Sequence, residues 1–217
     1  MIRSPRALVV VGGDDTHHDL LGAASVLTRL GAAAGFATAP AVGMQRFADP
    51  RPETADADVF VLYDSGALFP AGQQEALAAA IAAGKGLVAL HMSNVMPDAA
   101  GEDRGYRDLL GNHYLSHGPG HHEGHQRIEL VADHQITEGV EDFDLFDEFY
   151  EFEFADDNHA VLAERTRDDG VRIPVLYTRE IGQGRVVYLA LGHDMRSWGE
   201  PAFQRLVIQS IRWAARA

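Results

Sequence analysis

The chain has no cysteine among its 217 residues, which removes disulfides, thiolate nucleophiles and cysteine-bound metals from consideration. Positive charge is scarce as well. There are 18 lysines and arginines, Lys85 being the single lysine, against 32 aspartates and glutamates, for a formal net charge of −14. Such a surface repels phosphate backbones and has no attraction for anionic lipid, so neither nucleic acid nor a membrane is an expected partner. Arginine in place of lysine, together with abundant alanine, suggests a GC-rich bacterial source. Long hydrophobic runs are also missing. The first apolar stretch spans only Ala7 to Val11 before Gly12-Gly13 and two acids, too short for a signal peptide or a membrane span, and a cytoplasmic protein is expected. No G-x-G-x-x-G follows that stretch and no P-loop occurs, so a nucleotide cradle of the usual kind is not expected.

What is present is an alternation of strand and helix patterns. The strands are Ala7–Val11, Phe36–Val42, Val59–Tyr63 and Gly86–Leu90. Between the first two, Leu20, Leu21, Ala24, Leu27 and Leu30 recur at helical spacing. Pro70 opens a second helix through Gln73, Leu77 and Ile81, closed by Gly84. This order points to a parallel sheet flanked by helices, in one domain spanning 1–217. The second half is less regular. Tyr106 to His113 reads as a short helix and His117 to Gly124 as a loop; Arg127–Val131 and Ala160–Glu164 read as strands. Ile173–Thr178 and Arg185–Leu191 read as an antiparallel hairpin about Gly182 and Gly184. A last helix, from about Pro201 to Ala215, turns Phe203, Leu206, Val207, Ile211 and Ala214 to one side.

Histidine is enriched, with eleven residues, and three of them mark the ends of strand patterns. His91 closes Gly86–Leu90, His193 follows Arg185–Leu191, and His17-His18 comes after the first strand. In an open α/β sheet the carboxyl ends of parallel strands form one rim where ligands bind, so these distant residues are expected to converge. Imidazole there suits metal ligation or proton transfer near neutral pH. His113, His117, His121, His122 and His125 form a second concentration. They lack the spacing of a helical metal motif. His113 and His117 are site candidates, and His121, His122 and His125 read as a solvated polar loop.

Ten acids and no base lie between Glu138 and Asp157, interleaved with aromatics. Most are expected to face solvent. Asp147-Glu148-Phe149-Tyr150, however, sets two carboxylates beside a phenol, and carboxylate plus imidazoles is a donor set for Zn²⁺, with Mn²⁺ or Ni²⁺ as alternatives. Glu148 is expected to turn into the cleft with His91, His193 and His18 as ligands. Glu148, Asp147, His117 and Tyr150 are the candidates for proton transfer and substrate contact. Ser93, just past His91, lacks the G-x-S-x-G elbow of a serine nucleophile.

Taken in order, these pieces resemble the ThuA-like family linked to trehalose utilisation. The resemblance rests on His18-Asp19, Gly86 to His91, Leu109-Leu110-Gly111 with His117, Asp133-His134 with Ile136-Thr137, and Asp147-Glu148-x-Tyr150. It continues through Pro174 to Arg179, Gly182-x-Gly184-Arg185-Val186, Gly192-His193-Asp194 and Trp213-Ala214, nearly the full length. It implies a branch of the class I glutamine amidotransferase-like fold, a flavodoxin-like three-layer sandwich with a mostly parallel central sheet. Amidotransferases place a cysteine just after the strand that corresponds to Gly86–Leu90. His91-Met92-Ser93 stands there instead, so thioester glutaminase chemistry is excluded, while a late strand-end histidine survives as His193. The resemblance also implies a small-molecule sugar partner. The expected function is metal-assisted cleavage, lyase or hydrolase in type, of a glycoside, 3-keto-glycoside or related sugar. The alternative is a non-catalytic carbohydrate-binding or regulatory protein that keeps the pocket. A homo-oligomer is compatible with the sequence, though no motif specifies one.

Overall fold

A computed structural model describes residues 3–13, 17–48, 51–65, 69–95 and 104–217. Its central strands are the runs of valine, leucine and alanine in the sequence. β1 (Arg6–Gly12), β3 (Val59–Asp64) and β4 (Gly86–Leu90) are buried almost throughout, as strands covered on both faces must be. β2 (Ala37–Val42) is the outer strand on that side, and it is largely exposed. The helices between them carry the expected apolar stripes. α1 (Leu20–Ala33) buries Ala23, Ala24, Leu27 and Leu30. A one-turn helix, α2 (Pro52–Ala55), precedes β3. In α3 (Ala71–Ala82), capped by Pro70, Leu77 and Ile81 face inward.

The second half adds α4 (Arg104–Leu110), β5 (Asn112–Ser116), β6 (Glu123–Leu130), β7 (Phe143–Glu148), β8 (Glu151–Phe154), β9 (Ala160–Thr166), β10 (Arg172–Ile181) and β11 (Gly184–Leu189), then α5 (Met195–Trp198) and α6 (Pro201–Ala214). The helix expected to reach His113 stops earlier. Gly111 takes a φ of +72° after Leu110, and the chain leaves as β5, with His113 inside the strand. The expected stripe of α6 is buried, every one of its five residues inward. α1 packs with α6, and α3 packs with α4, both pairs serving the parallel strands.

The sheet order is β2-β1-β3-β4-β11-β10-β9-β6-β7. From β2 to β11 every pair is parallel. From β11 to β7 every pair is antiparallel. The α/β class is as expected, but the sheet is mixed rather than mostly parallel. The cause is local: β10 and β11 are joined by the short turn at Gly182-Gln183 with Ile181 opposite Gly184, and a connection that short can only reverse the chain. β5 and β8 form a separate two-stranded antiparallel sheet.

One consequence of the antiparallel extension positions the site. β7 lies four strands away from β11 in the sheet, yet its end returns to the residues just after β11. Asp147 accepts hydrogen bonds from the amides of Gly192 and His193 at 2.7 and 3.0 Å, and Ser197 Oγ donates to the Phe146 carbonyl at 2.9 Å. The extension therefore curls back over the carboxyl rim, in keeping with the coiling of twisted strands. Among the described residues no helix is long and apolar enough to cross a membrane.

Candidate functional site

Three strand ends deliver the imidazoles. β4 stops at Leu90, and His91 opens a short 3-10 turn, His91–Asn94, with a left-handed φ of +47°. A side chain is uncommon in that region and costs about 1–3 kcal/mol there. Its neighbours hold it in place: Tyr188 Oη donates to the His91 carbonyl at 2.8 Å, and His91 Nδ1 lies 3.0 Å from the Ala190 carbonyl. A carbonyl can only accept, so Nδ1 carries the proton and Nε2 presents a lone pair when the ring is neutral. β11 gives way to Gly192, at φ +114°, where a Cβ would stand 3.1 Å from both Phe203 and Trp198. That glycine lets His193 swing onto the rim. Past β1, Asp19 caps α1 by accepting from the Gly22 amide, which leaves the adjacent His18 for the cleft.

His18 Nε2 lies 3.0 Å from His91 Nε2. Glu148, at the end of β7, brings Oε2 to 3.2 Å from His91 Nε2, 3.3 Å from His193 Nδ1 and 3.4 Å from His117 Nε2. One donor atom from each of His18, His91, Glu148 and His193 falls within 4.8 Å of all the others. Four donors around a cation of zinc size, with bonds of about 2.0–2.1 Å, stand about 3.3 Å apart, and the His18–His91, His91–Glu148 and Glu148–His193 spacings have that size. Glu148 Oε2, His193 Nδ1 and His117 Nε2 are moreover buried and, apart from the ion-pair contacts just given, have no hydrogen-bond partner among the described residues. Buried polar atoms are normally satisfied, and a cation held together with His18 and His91 would meet the need of Glu148 Oε2 and His193 Nδ1. The donor set thus fits a divalent metal.

Charge follows the same pattern. Burial works against the Glu148 carboxylate, but His193 and His91 hold it far below the ordinary glutamate range. Burial also opposes charge on His193, and its contact with Glu148 outweighs that and raises its pKa. His117 is shifted down, chiefly by burial and against the pull of Glu148, and its Nδ1 meets Tyr114 Oη at 3.0 Å.

The structure brings His18, His91, His193, Glu148 and His117 into one place. Tyr150 is buried behind them, its ring stacked on His91 with centroids 4.2 Å apart. Asp147 does not open into the cleft. It is 1 % exposed and bonds the amides behind the cluster, and burial raises its pKa against the field of His91 and those amides. Of the ten acids between Glu138 and Asp157, only Asp147, Glu148 and Glu151 are withdrawn from solvent. His121, His122 and His125 are exposed, although His122 stacks on His117 with centroids 4.8 Å apart. Ser93 is buried, donating to the Leu62 carbonyl at 3.0 Å and accepting from the Asp64 amide at 3.3 Å, a structural role. Sequence reasoning missed Tyr114, Tyr188 and the Ala190 carbonyl. Each acts through tertiary contact, and no spacing in the chain announces it.

The α/β fold thus carries a cluster of histidines and a carboxylate at the carboxyl rim of its parallel strands, the rim at which ligands bind in open α/β sheets. The chain belongs to the ThuA family, described as trehalose utilisation, which it matches over residues 6–214. Among solved structures it is similar to a ThuA-like protein from Parabacteroides merdae, with 16% identity, a TM-score of 0.79, and coverage of 98% of this chain and 90% of that one. A second ThuA-like protein, from Bacteroides uniformis, has 15% identity and a TM-score of 0.77 over 99% of this chain and 93% of that one. A beta-galactosidase from Bacillus circulans shares the fold over 94% of this chain but 30% of its own, at 15% identity and a TM-score of 0.64. No curated protein matches the chain in sequence.

Proposed function

We propose that the chain is a metal-assisted enzyme of carbohydrate catabolism that cleaves a glycoside, 3-keto-glycoside or related sugar. The observation that carries this reading is the convergence of His18, His91, His193 and Glu148 at ligand spacing, with Glu148 Oε2 and His193 Nδ1 buried and, among the described residues, met only by one another and by the neighbouring imidazoles. The trehalose-utilisation family supplies the substrate class. Its fold partner in a beta-galactosidase agrees with a sugar-related role.

His18, His91, His193 and Glu148 would hold the ion, and a Zn²⁺-like cation there would polarise a substrate carbonyl or hydroxyl oxygen. Glu148 is committed to the imidazoles, so proton transfer falls to His117. Its lowered pKa keeps the ring neutral at neutral pH, and the Tyr114 hydroxyl on Nδ1 steadies it. In a 3-keto sugar the C2 proton is acidified by the adjacent carbonyl. His117 Nε2 would take that proton, the C–H electron pair would form the C1–C2 double bond, and the C1–O bond would break. The departing oxygen then needs a proton, which protonated His117 can return. Asp147 fixes the loop that carries His193, and Tyr150 fixes the plane of the His91 ring.

Elemental analysis of the purified protein and four variants tests the reading. About one ion per chain is expected, lost in His91→Ala and His193→Ala and retained in His121→Ala and His122→Ala. A protein that holds no metal yet binds sugars would be a binding protein that keeps the pocket. Loss of metal in the loop variants alone would move the centre to the loop.

A further inference from the structure

Beside the cluster lies a cavity of about 240 Å³, and His117 lines both. Its wall includes Gln126, Phe149, Glu151, Arg165 and Arg167. Arg165 sits in β9 opposite Ile128 of β6, with Ala163 two residues away opposite Leu130. By strand alternation this is a core row, and a residue such as leucine or methionine would be at home in it. Instead it holds a guanidinium that is 4 % exposed. Nε and Nη2, the two parallel donors of its side-on fork, are buried and have no hydrogen-bond partner among the described residues. The ring of Phe149 lies 5.1 Å from its central carbon. The nearest anion, Glu151 Oε1, stands 3.6 Å from Nη2 and is already taken by Arg167 Nη1 at 3.0 Å. Arg167 in turn is fully paired, with Asp169 on its other side at 2.8 and 2.6 Å. Gln126 Oε1 is also buried and unmatched among the described residues, an acceptor suited to a sugar hydroxyl rather than to the anion.

An arginine cannot shed its charge to escape this position. Burying it without acceptors destabilises the fold unless something outside the chain supplies them. Its planar fork matches two oxygens of a carboxylate or a phosphate. A protein of net charge −14 otherwise repels such a ligand, so a guanidinium beside the cluster, only loosely paired with Glu151 and with its fork unfilled, selects for it. We propose that this cavity is an oxyanion subsite, anchored by Arg165 and bordered by Gln126 and His117, that receives a carboxylate or phosphate substituent of a sugar. The subsite needs no metal. That its ligand is the substrate of the neighbouring cluster rests on the function proposed above.

Calorimetric titration of the full chain with inorganic phosphate, glucose 6-phosphate, glucuronate and glucose tests the proposal. Either charged sugar should bind about tenfold or more tightly than glucose, and the tighter one names the oxyanion. Arg165→Met and Arg165→Lys should both lose that preference, because lysine keeps the charge without the fork. His91→Ala should keep it. The proposal is overturned if the wild type prefers neither charged sugar, a result that needs no variant to fold. It is also overturned if Arg165→Met binds them as the wild type does. Loss in His91→Ala with retention in Arg165→Met would place the anion on the cluster, which removes the subsite and leaves the metal reading standing. A wild type without metal that still prefers the charged sugars, through Arg165, would do the reverse.

Discussion

Asp147 and Glu148 are neighbours in sequence with opposite tasks, because consecutive strand residues point to opposite sides. Glu148 meets imidazoles, whereas Asp147 turns inward and takes the amides of Gly192 and His193. An amide in its place could accept from only one of them and would set an N–H against the other. Asp147→Asn should therefore cost about 2–3 kcal/mol and lower the melting temperature by roughly 5–10 °C in a chain of this size. A shift near zero in a thermal melt would show that Asp147 does not pin the loop. The strand-end histidines were legible because the apolar runs stop at them. The division of labour between the two acids was not, since it depends on where the end of β7 lands. The partners of His91 were hidden for a similar reason: Tyr188 lies on β11 and Ala190 just beyond it, both distant from His91 in the chain.

Arg179 of β10 is a clasp between elements. Its guanidinium is buried, meets both Asp156 oxygens at 2.7 and 3.0 Å and reaches the Asp108 carbonyl of α4 at 3.2 Å. Gly111, at φ +72°, leaves room for it; a Cβ there would fall 1.6 Å from Arg179 Nη1. Gly111→Ala should destabilise by about 2 kcal/mol or more, from strain and steric displacement together, read in urea unfolding; an unchanged midpoint would refute the clasp. Arg179 also holds the Asp156 carboxyl below the ordinary aspartate value. A depressed acid stabilises the fold above its unfolded pKa, and that contribution disappears as pH falls through the folded value. Between pH 5 and pH 2.5 the wild type should thus lose more stability than Asp156→Asn. The difference should stay under about 1 kcal/mol because Asp156 is solvent-facing, and parallel curves for the two proteins would count against it. The hairpin of β10 and β11 was readable from its two apolar runs and glycine turn. β7 was overlooked although Phe143, Leu145 and Asp147 alternate inward, because the density of acids in that stretch reads as a solvated face. The strand β5 was hidden by a helix-like pattern that only the left-handed Gly111 interrupts.

At the scale of the molecule, the parallel strands contribute imidazoles and the antiparallel extension contributes the carboxylate. A bound cation would tie the two halves together and stabilise the folded state through mass action. At a free concentration one hundred times its dissociation constant, Zn²⁺ should add about 2.7 kcal/mol, or roughly 5–10 °C in melting temperature. His193→Ala should show little of this; an equal rise in that variant would mean zinc binds elsewhere. The alternating first half of the chain made the class of fold legible, but a curl that spans the sheet order from β11 to β7 has no signature in any local window. The same curl bears on how the molecule is made. Contacts between residues remote in sequence form slowly, and the cluster joins His18, near the start of the chain, to Glu148 on the returning strand. The complete donor set exists only once the end of β7 has docked beside the residues after β11, so a cation that needs all four donors would be captured no earlier than that step. Were the cluster to hold an ion, its capture would report the docking of β7, the same step that seats α5, whose Ser197 bonds the Phe146 carbonyl.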